Sequence, residues 1–81
     1  MTIPSKRHIS NRLRNPLKLP LTARQLEIIS FLTQGKTFWE IGTILGISHK
    51  TVDLHIRLAR EKTNTVNSMH LIAHCIRNEL V

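Results

Sequence analysis

The residues with chemistry to offer are crowded into one short stretch. Between Ser48 and Thr63 stand Lys50, Asp53, His55, Arg57, Arg60, Glu61 and Lys62, with Leu54 and Leu58 among them. Cations at Lys50 and Arg57 suit phosphate oxygens and guanine edges, a carboxylate at Asp53 suits a cytosine amino group, and an uncovered leucine at Leu54 suits a thymine methyl. The competing reading is a solvated helix face whose charges pair at i,i+4, Asp53 with Arg57 and Arg57 with Glu61. Other chemistries have less behind them. His70 and His74 have the spacing of two metal ligands on a helix, but the sequence supplies no evident third ligand and no HExxH pattern, so a solvated polar face accounts for them. His55 lacks an accompanying carboxylate and nucleophile, which makes it a phosphate donor or a packed helix residue rather than a catalytic base. There is no glycine-rich phosphate loop. No enzyme, cofactor, metal or small-molecule ligand is expected.

Those side chains need a scaffold, and the punctuation from Leu21 onward predicts four helices. Thr22 with Gln25 makes a capping box for the first, Leu21 and Leu26 stand as its hydrophobic staple, Ile28, Ile29 and Leu32 share one side, and Gly35 closes it. Thr37 with Glu40 makes a second capping box, followed by an apolar stripe of Ile41, Ile44 and Leu45 and a stop at Gly46. Ser48 caps a third helix about two residues later, and that short glycine-containing turn is the spacing of a helix-turn-helix. Asn64 offers a left-handed stop, and Asn67 or Ser68 opens a fourth helix that runs nearly to the C-terminus. No stretch alternates with period two, so the predicted fold is all-α.

Successive helical residues turn by about 100°, which sorts the third helix into faces. Val52, Ile56 and Ala59 fall on the buried side; Lys50, Leu54, Arg57 and Glu61 lie opposite, with Asp53 and Arg60 toward one flank. Helix-turn-helix geometry presents such an outer face to the major groove, which favours DNA readout over a merely solvated face. The fourth helix has too much apolar surface for one small core. Leu71, Ile72, Ala73, Cys75, Ile76 and Leu80 sweep roughly 200°, against the 100° or so that core packing needs. His70, His74, Arg77 and Asn78 fill the rest. The excess predicts a second subunit, hence a two-fold dimer on a palindromic site.

Charge and length bound these expectations. The chain carries +7 over 81 residues, unevenly: residues 1–20 hold Lys6, Arg7, Arg12, Arg14 and Lys18 with no acid, while 21–81 hold seven bases against five acids, +2. With Pro4, Pro16 and Pro20 and no periodicity, 1–20 reads as a mobile basic arm, either solvated or touching phosphate, and 21–81 as the single domain. No run approaches the roughly 18 apolar residues of a membrane span, and a secretory signal is missing, so a cytoplasmic, nucleoid-associated protein is expected. Cys75, the one cysteine, reads as a small hydrophobe.

The motifs together resemble a LuxR-type (GerE-type) helix-turn-helix domain. The matching stretches are LTARQLEII from Leu21, GKTFWEIGTILGIS from Gly35, TVDLHIR from Thr51 and VNSMHLIA from Val66, in order and with the family's helix spacing. The WEIG and TVDLHIR wording is most similar to the quorum-sensing branch. The resemblance implies a four-helix DNA-binding domain whose third helix enters the major groove and whose fourth makes the dimer. By position it implies base readout by Asp53, Leu54 and Arg57 and phosphate contacts from Lys50, Thr51, His55 and Lys62. The apolar arc of the fourth helix separately gives the expected dimer interface, Leu71, Ile72, Cys75, Ile76 and Leu80. Four positions depart from the family pattern: Asp53 where lysine or arginine is frequent, Leu58 for a common asparagine, Thr63 for a packing leucine, and Gln25 for glutamate.

In that family a sensor normally precedes this domain, and a basic stretch of 20 residues cannot fold into one. Two functions follow as expectations. One is a regulator that binds double-stranded DNA as a homodimer; the other is an anti-activator that heterodimerises with a full-length LuxR-type protein. Whether the chain is complete or an excised domain is left open.

Overall fold

The computed structural model describes residues 20–81. The basic arm expected over 1–20 therefore lies outside the described residues except for Pro20. Among them are four α-helices and no strand: α1 Ala23–Thr33, α2 Phe38–Leu45, α3 His49–Thr63 and α4 Ser68–Arg77.

Each helix begins where a side chain satisfies otherwise orphaned backbone donors. Both capping boxes form, with Thr22 and Gln25 exchanging bonds at α1 and Thr37 and Glu40 at α2. The Thr37 N–H donates to the Glu40 carboxylate at 2.9 Å, and this bond first, then the Thr37 hydroxyl and the Lys36 charge, holds the Glu40 carboxyl below its usual value of 4.5. Ser48 accepts from Thr51 N–H to cap α3, and Asn67 from His70 N–H to cap α4.

The ends are equally local. After α1, Gly35 (φ 85°) returns its N–H to Leu32, and Lys36 N–H reaches Phe31 O. After α3, Asn64 (φ 56°) takes the same left-handed conformation, with Thr65 N–H on Arg60 O at 3.0 Å. The α4 stop is less obvious from sequence: Glu79 adopts φ 55°, and Leu80 N–H closes on Cys75 O at 2.8 Å.

One core unites the helices. Ile28 and Ile29 of α1, Ile41 of α2, Val52, Ile56 and Ala59 of α3, and Leu71 and Cys75 of α4 are buried, rimmed by Leu21, Phe31, Leu32, Phe38, Leu45 and Ile47. Each such isoleucine or leucine contributes about 1.5–3 kcal/mol by leaving water. Helix α3 packs on α1, α2 and α4, whereas α2 and α4 have no packing contact with each other. The recognition-candidate helix is thus the hub, held along its buried face and open along the other.

Ile44 was expected in the α2 stripe and is instead 50% exposed. The inward face of α2 is set by Ile41, Leu45, Phe38 and Gly42, and Ile44 lies about 110° from its centre. Gly42 belongs to that face because the backbone after α2 passes over it. A Cβ there would lie 2.6 Å from Ile47 O, inside any real contact.

Candidate nucleic-acid interface

The outer face of α3 follows from the inner one. With Val52, Ile56 and Ala59 buried, the 100° increment leaves Lys50, Leu54, Arg57 and Glu61 exposed, and Asp53 half-buried beside them. Of the two i,i+4 pairs the spacing allows, Asp53–Arg57 forms as an ion pair, with Arg57 Nε 3.2 Å from Asp53 Oδ2. The contact lies at the inner nitrogen of the guanidinium. An end-on bidentate contact to guanine O6 and N7 uses the two outer nitrogens, Nη1 and Nη2.

The expected phosphate residues are placed differently from one another. Lys50 is exposed at the start of α3. Thr51 is half-buried, with its hydroxyl 3.0 Å from Ser48 Oγ at the helix cap. His55 is half-buried too, and its Nδ1 is buried without a hydrogen-bond partner, so the accessible edge of the ring is the other one. Lys62 turns away from the outer face: its ammonium donates to Pro20 O and to Gln25 Oε1, each at 3.1 Å. Gln25 Oε1 also takes Thr22 N–H, and Gln25 is the one buried polar residue among the described residues, 4% exposed. In this geometry Lys62 fastens the end of α3 to the start of α1.

The expected dimer residues divide in the same way. Leu71 and Cys75 are fully buried within the chain and have no surface left for a partner, which corrects their assignment to an interface. Their positions lie on the side of α4 that α3 and α1 cover. Burial also pushes the Cys75 thiol pKa up. Ile72 is half-buried, and Ile76 and Leu80 are exposed. Met69, overlooked in the sequence, is 77% exposed and falls within about 60° of Ile72 and Ile76 on the wheel. The His70 ring has local work, accepting from Val66 N–H at Nδ1.

Two further features escaped the sequence reading. Trp39, on the outside of α2, stacks on His49 at the start of α3, with ring centroids 3.7 Å apart and planes 23° apart. Gly42 lets the turn between those helices close. A glycine in the middle of a short helix was its available signal, since it costs about 1 kcal/mol against alanine unless something approaches closely.

Residues 19–75 match the GerE pattern of the luxR family of bacterial regulatory proteins. The chain is 41% identical over 73 residues to the transcriptional activator protein BjaR1 of Bradyrhizobium diazoefficiens, covering 86% of this chain and 30% of that protein. It is 36% identical over 66 residues to the transcriptional activator protein LuxR of Aliivibrio fischeri, covering 82% and 26%. A third relative, the quorum sensing-dependent transcriptional regulator RpaR of Rhodopseudomonas palustris, is 38% identical over 61 residues, covering 75% and 25%. The chain spans less than a third of the length of these relatives.

Proposed function

This chain belongs to the luxR family of bacterial regulatory proteins and carries its helix-turn-helix DNA-binding domain, and we propose on that premise that it is a cytoplasmic, nucleoid-associated transcription regulator that reads a palindromic site as a dimer. Asp53, Leu54 and Arg57 read base edges, and Lys50, Thr51 and His55 hold the phosphates. The observation that supports the reading is the Arg57 guanidinium: it is exposed on α3 and ion-paired with Asp53 at Nε, the nitrogen that an end-on bidentate contact to guanine does not use.

Dimerisation is supported by the apolar edge of α4, where Met69, Ile72 and Ile76 lie together and uncovered to different degrees. Two copies related by a two-fold axis through that edge would set their α3 helices about one DNA turn apart. The same edge suits a full-length relative as the second subunit, the arrangement of an anti-activator.

Binding of a duplex selected by the protein from a random pool, titrated across a salt series, tests the reading. The wild type should show a steep salt dependence. Arg57→Ala should lose about 1–3 kcal/mol on the selected site and far less on unrelated DNA. Equal losses on both, or none, would remove base readout by Arg57.

A further inference from the structure

The outer surface of α3 is divided lengthwise. Asp53, Arg57 and Arg60 lie on the flank that carries the ion pair, whereas Leu54 and Leu58, four residues apart, lie about 40° from each other on the opposite flank. Both leucines are uncovered, 44% and 39% exposed. Neither belongs to the core nor to its rim. The next residue along their line is Lys62, and its ammonium is drawn back to Pro20 and Gln25. Thr51 and His55 lie beyond the leucines on the same side, so the leucine pair is a strip between the cationic flank and the phosphate-facing one. An exposed leucine pair on a water-facing helix has no stabilising role of its own, because its burial must come from something that docks on that face.

The geometry points to Leu58, together with Leu54, as a specificity-determining contact to thymine methyl groups in the major groove. The inference rests on the proposed groove-reading role of α3 and is continuous with its face. Of the groups that the floor of a major groove presents, the thymine 5-methyl is the apolar one; the rest are hydrogen-bond donors and acceptors. Residues four apart on a helix are separated by about 6 Å along its axis, a span that lets both leucines reach base edges of one groove within a step or two of each other. The site should therefore carry two thymines within one or two base steps, beside the guanine that Arg57 reads, with one leucine over each.

The test replaces thymines of the selected duplex one at a time with uracil, which removes only the methyl group, and measures affinity for the wild type, Leu54→Ala, Leu58→Ala and Leu58→Met. The wild type should lose about fourfold at two thymines of each half-site, the equivalent of one methyl left unburied. Leu58→Ala should lose its sensitivity at one of the two and keep it at the other, Leu54→Ala the reverse, and Leu58→Met should retain both. Circular dichroism should show all variants folded, because the replaced side chains are surface groups. A wild type that prefers its selected site yet ignores uracil overturns the methyl contact alone. A wild type without sequence preference overturns the groove-reading role beneath it. An unchanged uracil profile in Leu58→Ala, with a shift from dimer to monomer in sedimentation, assigns the leucine edge to a protein interface and also overturns the inference.

Discussion

Arg57 and Asp53 contribute little to stability by meeting at 3.2 Å, since both side chains are about half exposed and such helix-surface pairs are worth about 0.3–0.5 kcal/mol. Their value lies in direction: a guanidinium held at Nε has fewer ways to point, so less freedom is lost when its tip meets a base. Asp53→Asn should therefore tighten binding to unrelated DNA, by removing a negative charge from the groove face, while lowering preference for the selected site. Competition titrations report the ratio, and an equal gain on both duplexes would mean that the carboxylate merely repelled phosphate. This pair was legible in the sequence because i,i+4 spacing on a helix fixes the distance. The Lys62 contact was not, because its partners Pro20 and Gln25 lie 42 and 37 residues away and nothing local announces them. A lysine on an outer helix face reads as a phosphate ligand until the fold supplies a nearer acceptor.

At the scale of elements, starts and stops were legible because they are settled within four or five residues. Thr22, Thr37, Ser48, Asn67, Gly35, Gly46 and Asn64 act where their types suggest. The rotation of α2 was not legible, because it depends on the backbone of the next turn. Gly42 lets Ile47 O come within 2.6 Å of where a Cβ would stand, and with Gly42 on the inward face Ile44 is left outside it. Gly42→Ala sets two effects against each other. Alanine favours a helix interior by about 1 kcal/mol over glycine. Overpacking against backbone, which cannot swing aside as a side chain can, costs about 1–3 kcal/mol. The contact lies below 3.0 Å and involves a carbonyl, so the clash should win: urea unfolding should show a net loss of about 1 kcal/mol or more, and DNA affinity should fall further as the start of α3 moves. A variant as stable as wild type would mean that this turn has room to relax.

For the molecule as a whole, the breadth of the α4 apolar arc was legible and its division was not. A wheel shows that roughly 200° is more than one core needs, but the placement of α1 and α3 decides which part they cover. They take Leu71 and Cys75, and the remainder, Ile72 and Ile76 with Met69 beside them, is the face proposed for a partner. That division makes the dimer separately testable from the fold. Ile76 is 54% exposed, so Ile76→Asp should leave the monomer folded, whereas Leu71→Asp would bury a charge at a fully enclosed site and unfold it. If α4 joins two copies, Ile76→Asp should sediment as a monomer at concentrations where the wild type is dimeric. It should bind a single half-site as well as wild type does and lose the extra affinity of the full palindrome. The size of that loss measures the effective concentration that the dimer gives its second α3. Retention of palindrome affinity by folded Ile76→Asp would place the two-fold contact elsewhere and leave the α4 edge for a different protein, the arrangement that the anti-activator reading requires.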